Sequence, residues 1–161
     1  MEIRTGTLED LEAVTAVEAA CFPPAEAAGR DAFRDRLTVY GNHVWLLLEE
    51  GRLTALADGL VTSQPDLTDE MYADASLHDE EGAWQMLLGL GTRPERRGNG
   101  CAGLLLEHVI RAARSQRRRG VVLTCKDRLV GYYERFGFRD EGISCHSSHG
   151  NAVWRQMRLT F

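Results

Sequence analysis

The chain has 161 residues, of which 43% are hydrophobic and 27% are charged, and its formal net charge is −5. These values are typical of a globular domain and argue against disordered, fibrous and nucleic-acid-binding proteins. No apolar run reaches the roughly 20 residues that cross a bilayer, and the first ten residues do not resemble a signal peptide; we therefore expect a cytoplasmic protein with no membrane partner.

Helical and extended patterns alternate in the first part of the chain. Thr7 to Asp10 predicts a helix N-terminus, because Thr is a favoured N-cap and acidic residues follow it, and apolar residues then repeat at helical spacing up to Cys21. Two prolines interrupt this pattern, and a second helix is predicted over Asp31 to Val39. The next apolar stretch predicts a hairpin with its turn at Glu49 to Arg52.

The second part of the chain predicts a strand–loop–helix–strand unit. Residues 64–81 before it are polar and acidic, and they predict a long loop or a short helix. The predicted unit consists of a buried strand at 84–90, a glycine-rich loop at 91–99, an amphipathic helix at 100–118 and a buried strand at 121–125. This order is a βαβ crossover with two parallel strands. A short helix ending at Gly137 and two strands, the last at 152–161, would follow.

The fold class predicted from these elements is α/β. We expect a mixed, mostly antiparallel sheet with a central parallel βαβ unit, flanked by helices. The sequence shows no repeat, linker or low-complexity segment, so residues 1–161 are interpreted as one domain.

Positive charge is concentrated around the glycine-rich loop, in "RPERRGNG". The loop joins a strand to a helix, where unpaired N–H groups and the positive end of the helix dipole favour a phosphate group. No Gly-Lys-Ser/Thr follows, so it is not a Walker loop, and the G-x-G-x-x-G dinucleotide pattern is also absent. The pattern predicts a site for a small anionic ligand.

Two motifs together identify a family resemblance. "RGNGCA" (Arg97 to Ala102) fits R-x-x-G-x-A, and "YYERFGF" lies about thirty residues later, containing Y-x-x-x-G-F. This pair, in this order of elements, resembles the GNAT superfamily of N-acetyltransferases over nearly the whole chain. "CFPPAEAA" and "CKDRLVGYYERFGF" resemble more loosely the arylalkylamine N-acetyltransferase branch.

The resemblance implies acetyl-CoA as co-substrate and no metal. Backbone amides of the glycine loop would bind the pyrophosphate, and the end of the first parallel strand would diverge from its neighbour and pair with the pantetheine arm. The implied cofactor-binding residues are Leu88, Gly89, Leu90, Gly91, Thr92, Arg97, Gly98, Asn99, Gly100, Cys101, Ala102, Gly103, Lys126 and Tyr133.

The resemblance also implies direct transfer of the acetyl group to a neutral amine. Tyr133 would protonate the leaving thiolate, and a backbone N–H near Leu88 to Leu90 would stabilise the oxyanion. The arylalkylamine branch carries two histidines where this chain has Met86 and Leu88, so the base must come from elsewhere. The candidates for this base are Glu26 and Glu81.

Other polar residues are weaker candidates. His78 and Glu80 precede the central strand, and His146 and His149 lie in the last predicted loop. Cys125 would need a neighbouring histidine to act as a nucleophile, and the sequence shows none beside it. The four cysteines are scattered without Cys-x-x-Cys or zinc-type spacing, which predicts reduced thiols and no metal site.

The leading hypothesis is an acetyl-CoA-dependent N-acetyltransferase acting on a small cationic amine of the arylalkylamine or polyamine type. Two alternatives stay open: acetylation of a protein or peptide amine, and a non-catalytic acyl-CoA-binding sensor. A homodimer is compatible with the resemblance, and no nucleic-acid partner is expected.

Overall fold

The computed structural model describes all residues from Met1 to Phe161. The strands are β1 (Glu2–Thr5), β2 (Val44–Glu49), β3 (Arg52–Asp58), β4 (Val61–Thr62), β5 (Trp84–Leu87), β6 (Gly89–Thr92), β7 (Gly120–Cys125), β8 (Arg139–Ile143) and β9 (Arg155–Thr160). The α-helices are α1 (Leu11–Cys21), α2 (Arg30–Tyr40), α3 (Glu70–Ala73), α4 (Cys101–Ser115) and α5 (Val130–Glu134). None of these helices has the length and hydropathy needed to cross a membrane.

The strands form two sheets that diverge in the middle of the molecule. One sheet has the order β1-β2-β3-β6 and the other has the order β4-β5-β7-β9-β8. All pairs are antiparallel except β5 with β7, which are parallel and joined through α4. The mixed sheet with a central parallel βαβ unit is therefore confirmed.

Helices cover both faces of the sheets because each presents one apolar stripe. On one face, α1 and α2 bury Val14, Val17 and Phe33. On the other face, α4 buries Leu105 and Val109. Both clusters contain residues of the two sheets, and they hold the diverging strands in place.

Several local predictions are confirmed. The hairpin turn lies at Glu50 and Gly51, both with positive φ (51° and 77°), which matches the right-handed twist of the flanking strands. The second helix is one residue longer at each end than predicted, at Arg30–Tyr40. Residues 64–81 contain the short helix α3 and otherwise irregular backbone.

Three predictions need correction. The N-terminal strand β1 was not predicted from the sequence; it is four residues long and forms by pairing with β2. The last strand begins at Arg155 and not at residue 152. The strand predicted at 84–90 is broken at Leu88, because β5 pairs with β7 whereas β6 leaves to pair with β3.

Candidate active site

The break at Leu88 opens a cleft between β6 and β7. The N–H of Arg93 donates to the carbonyl of Thr54 at 2.9 Å, in register with the β3–β6 ladder. Because bonded and non-bonded positions alternate in an antiparallel ladder, the N–H groups of Thr92 and Leu90 point away from β3 into the cleft. The N–H of Leu88 donates to the carbonyl of Asp58 at 2.7 Å and is already satisfied. A backbone N–H near Leu88 to Leu90 was predicted to stabilise the oxyanion. Within this range, Leu90 therefore offers the N–H that faces the cleft.

The glycine-rich loop ends in a cradle of unpaired N–H groups at the start of α4. Gly98 and Gly100 have positive φ angles of 81° and 79°, a backbone conformation that is energetically unfavourable for residues with a Cβ atom. Gly100 is the N-cap, and no side chain caps the helix. The N–H groups of Cys101, Ala102 and Gly103 therefore lack an intrahelical partner and add to the positive end of the dipole. This geometry suits a phosphate group.

The arginines of the loop have different roles. Arg96 donates to both carboxylate oxygens of Glu49, at 2.9 and 2.8 Å, and is committed to that pair. Arg97 donates only to the carbonyl of Cys21 at 3.4 Å and has no carboxylate partner. Asn99 donates to two loop carbonyls and is exposed, so it stabilises the turn. Arg97 is thus the guanidinium of the loop that is available to an anion.

Two cavities meet in the cleft. The cradle opens into a cavity of about 380 Å³, and an adjoining cavity of about 480 Å³ lies between α1, α2, α3, β7 and the loop before β9. We name them the cradle cavity and the inner cavity. Both are lined by Cys21, Phe22, Leu90, Leu129 and Tyr133. The shared walls make one continuous channel.

Tyr133 lies at the junction of the two cavities. Its side chain packs edge-on against Tyr132 and Phe138, and only 8% of the residue is exposed. Burial raises the pKa of Tyr133 well above its usual value. The hydroxyl therefore keeps its proton at physiological pH and can act as a proton donor.

A polar row lines the inner cavity opposite the cradle. The Tyr72 hydroxyl lies 3.3 Å from Thr124 Oγ1, and the Tyr72 ring stacks on His149 with centroids 4.2 Å apart. Nε2 of His149 donates to the carbonyl of Glu26 at 2.7 Å, and Trp154 donates to the carbonyl of His149 at 2.8 Å. Of these groups the sequence had pointed only to His149, as a weak candidate.

The structure places the predicted site residues unequally. Glu26 lines the inner cavity, but its carboxylate pairs with Lys126 at 2.9 Å. Lys126 also lines the inner cavity, and its ammonium group lies over the Trp154 ring. Glu81 is exposed at the opposite end of β5 and lines neither cavity. The remaining predicted cofactor residues, apart from Asn99, line one or both cavities.

His78 and Glu80 belong to a separate polar cluster with His43. Their ligand atoms lie within 4.8 Å of one another, a spacing that a metal ion could bridge. However, Nδ1 of His78 accepts the N–H of Val61, so its Nε2 carries the proton and donates to Glu80 at 2.8 Å. Hydrogen bonding accounts for this cluster, which lines neither cavity.

Cys125 lines the inner cavity but is not activated. Burial raises the pKa of its thiol to about 11, and no base forms a hydrogen bond with it. Since the thiolate is the nucleophilic form, the geometry does not favour a covalent acyl-cysteine.

Sequence reasoning missed a buried carboxyl pair, of which Glu18 lines the inner cavity and Asp58 lies behind it. Glu18 of α1 is 4% exposed and Asp58 of β3 is fully buried, and Arg36 of α2 donates to Asp58 Oδ2 at 2.9 Å. The signal was present: Glu18 falls one turn after Val14, on the apolar face of the helix, where a carboxylate is rare without a partner or a function.

Comparison with known proteins identifies the family that the chain resembles. A family model described as an acetyltransferase (GNAT) domain matches residues 41–140. Serotonin N-acetyltransferase of Mesocricetus auratus is 32% identical over 113 residues, which are 70% of this chain and 53% of the relative. The chain thus spans about half the length of that relative.

Two solved structures match nearly the whole chain. The GNAT-like decarboxylase GphF in complex with isobutyryl-CoA is 26% identical, with a TM-score of 0.86 and coverage of 99% of each chain. The loading GNATL domain of CurA from Lyngbya majuscula is 16% identical, with a TM-score of 0.84 and coverage of 99% of this chain and 96% of that one. At that identity the second structure shows the fold alone.

Proposed function

Because this chain belongs to the GNAT acetyltransferase family, we propose that it transfers an acetyl group from acetyl-CoA directly to a primary amine. The observation that carries this proposal is the meeting of the two cavities at Tyr133. One cavity offers unpaired N–H groups to an anionic tail, and the other offers an apolar chamber with carboxyl groups to a cationic acceptor. The two substrates would meet at the one buried hydroxyl that both cavities share.

The cradle cavity fits the coenzyme. The first-turn N–H groups of α4 and the guanidinium of Arg97 would hold the pyrophosphate, with Gly98 and Gly100 shaping the loop. The N–H of Thr92 would bind a pantetheine amide carbonyl, because β6 is the last strand of its sheet on that side. Acetyl-CoA supplies the activated acetyl group when bound there.

The residues at the junction provide the groups that acyl transfer needs. The Leu90 N–H would donate to the thioester oxygen as it gains negative charge. As the new C–N bond forms and the C–S bond breaks, the Tyr133 hydroxyl would give its proton to the departing sulfur. The high pKa of Tyr133, caused by burial, keeps that proton in place until it is needed.

The inner cavity favours a small amine with an apolar body. Its volume of about 480 Å³ is in the range of small-molecule sites. Most of its walls are apolar, while Glu18, Glu26 and Asp69 contribute acidic groups. The α3 segment closes one side through Tyr72 and Ala73, which leaves less room for a peptide. Together with the similarity to serotonin N-acetyltransferase, this supports an arylalkylamine over a polyamine or a peptide amine.

The proposal predicts the effect of removing the Tyr133 hydroxyl. Tyr133→Phe should retain acetyl-CoA affinity within about twofold and lose about 100-fold or more in turnover, because general acid catalysis contributes at least that much. The measurement is CoA release with phenethylamine, tryptamine, spermidine, lysine and short peptides as acceptors, alongside calorimetric titration with acetyl-CoA.

The matched control for that variant is Tyr40→Phe. The Tyr40 hydroxyl is buried without a hydrogen-bond partner and lines neither cavity, so its removal should leave turnover unchanged. Unchanged turnover in Tyr133→Phe would eliminate Tyr133 as the acid. Acetyl-CoA binding by the wild type with no turnover of any amine would instead favour the acyl-CoA-binding sensor.

A second candidate function is decarboxylation of a carboxylated acyl-CoA. The specific observation is the 26% identity over 99% of both chains with a GNAT-like decarboxylase bound to isobutyryl-CoA. In such a reaction the bond between the α-carbon and the carboxylate breaks, and the electron pair passes to the thioester before a proton is added. The row of Tyr72, Thr124 and His149 could contact the carboxylate or supply that proton.

Two substrates separate these candidates. Incubation with malonyl-CoA or dimethylmalonyl-CoA should release carbon dioxide only if the chain is a decarboxylase. Release of free CoA in the presence of an amine and acetyl-CoA should occur only if it is an acetyltransferase. The second result, without the first, is the outcome we expect.

A further inference from the structure

The buried carboxyl pair of Glu18 and Asp58 has two oxygens without partners. Oε1 of Glu18 accepts the N–H of Ala28 at 3.3 Å, but Oε2 has no hydrogen-bond partner. Oδ2 of Asp58 accepts from Arg36, but Oδ1 has none. Buried carboxylate oxygens that remain unpaired are costly, so a group that fills this position is expected.

Both unpaired oxygens face the point where the two sheets diverge. A Cβ atom added to Gly89 would lie 2.9 Å from Asp58 Oδ1 and 3.7 Å from Glu18 Oε2. Gly89 directly precedes Leu90, whose N–H faces the cleft. The missing side chain at residue 89 therefore leaves room for the two carboxyl groups directly beside the strand that carries Leu90.

The charges around the pair place a transferable proton on Glu18. Arg36 is committed to Asp58 through Nη1 and to the carbonyl of Tyr72 through Nη2, both at 2.9 Å. Glu18 has no cation of its own, and burial, followed by the nearby charge of Asp58, raises its pKa to about 8. The other titratable group beside it is Cys21, one turn further along α1. A carboxyl group in this state can exchange a proton near neutral pH.

We propose that Glu18 is the proton acceptor for the amine substrate, a role that rests on the proposed acetyltransferase function. A fraction of Glu18 is ionised near neutral pH, and Oε2 of that form accepts one N–H proton from the ammonium group that enters the inner cavity, which yields a neutral amine and a neutral carboxyl group. The amine lone pair then forms the C–N bond as the C–S bond breaks. Tyr133 protonates the sulfur and recovers a proton from the substituted nitrogen, and Glu18 returns its proton to solvent.

The geometry favours Glu18 over the carboxylates predicted from the sequence. Glu26 faces the same cavity, but its carboxylate is already paired with Lys126. Glu81 lines neither cavity. Glu18 alone combines a place in the cavity wall with an unpaired, buried oxygen.

The test compares two amines of the same shape with different basicity. Phenethylamine arrives as an ammonium ion, whereas 2,2-difluoro-2-phenylethylamine loses its proton much more readily because fluorine withdraws electrons. In Glu18→Gln, kcat/KM for phenethylamine should fall about 100-fold, while that for the difluoro compound should change only a few-fold. Gln retains the oxygen that accepts the Ala28 N–H, so the variant should fold and bind acetyl-CoA as the wild type does.

The matched control is Glu12→Gln, on the same helix but exposed, where the carboxylate pairs with Arg30 at the surface. It should leave both amines unaffected. Equal losses with both amines in Glu18→Gln would show a structural role and overturn the proposal, as would no loss with either. A wild type that binds acetyl-CoA but turns over neither amine would overturn the proposed arylalkylamine function itself, and Glu18's role with it. If Glu18→Gln does not fold, the same comparison is made with Glu18→Asp, which retains a carboxylate but withdraws it from the cleft.

Discussion

The cradle cavity and the inner cavity adjoin at Tyr133, yet they are built from different parts of the chain. Apart from the residues that line both cavities, the cradle cavity is built from Tyr132 and one contiguous stretch, residues 91–103, which offers backbone N–H groups. The inner cavity is lined by residues of α1, α2, α3, β5, β6, β7 and the loop before β9. The comparison teaches that a cavity wall built from backbone N–H groups can form within one stretch of sequence, while a cavity wall built from side chains depends on long-range packing.

The largest expected effect is a loss of stability when a buried charge in the wall of the inner cavity is removed. Arg36→Met leaves the Asp58 carboxylate fully buried without its cation, and it should lower the free energy of unfolding by about 3 to 5 kcal/mol. Urea denaturation followed by circular dichroism measures the loss. Arg34→Met on the same helix removes an exposed pair with Asp31 and should cost less than about 1 kcal/mol. Equal effects in the two variants would mean that the buried pair does not hold the inner cavity together.

An intermediate effect is expected in the pH dependence of stability. Folded Glu18 holds a proton up to about pH 8, whereas its ordinary pKa is 4.5. Within that window the folded state binds a proton that the unfolded state has lost, so the free energy of unfolding contributed by Glu18 falls as pH rises from 4.5 to about 8. In Glu18→Gln the slope should be shallower by up to about 1.4 kcal/mol per pH unit. Urea denaturation of the wild type and Glu18→Gln at several pH values measures both slopes. Equal slopes would mean that the pH dependence of stability comes from a group other than Glu18.

The smallest expected effect is on acetyl-CoA binding when the glycines of the loop before α4 are replaced. Gly98→Ala and Gly100→Ala each force a side chain into a left-handed conformation, at about 1 to 2 kcal/mol. If that strain opposes the cradle conformation, acetyl-CoA should bind about tenfold more weakly per substitution, measured by calorimetry. Gly131→Ala is the control, because that glycine lies in α5 with negative φ and open space around it. Unchanged affinity in the two loop variants would mean that the loop conformation is not needed for the coenzyme.

Local patterns were sufficient to predict most elements and the cradle. The alternation at the β2–β3 hairpin, the apolar stripe of α4 and the glycine spacing at Gly98 and Gly100 each depend on neighbouring residues. The N-terminal strand β1 and the break at Leu88 were not predictable in this way, because both result from pairing with distant strands. Glu81 was a reasonable candidate by position before β5, but the structure directs that end of the strand away from the cleft.

The sequence by itself determined the βαβ unit, the glycine loop before α4 and the position of Tyr133 in α5, because helix dipoles, turn conformations and motif spacing act over a few residues. Only the tertiary structure decided which carboxyl group lines the inner cavity with an unpaired oxygen. Glu18, Arg36 and Asp58 are far apart along the chain and meet only when α1 and α2 pack on β3. The burial that changes the proton affinity of Glu18, and the place of its carboxyl group beside Gly89, exist only after that packing is complete.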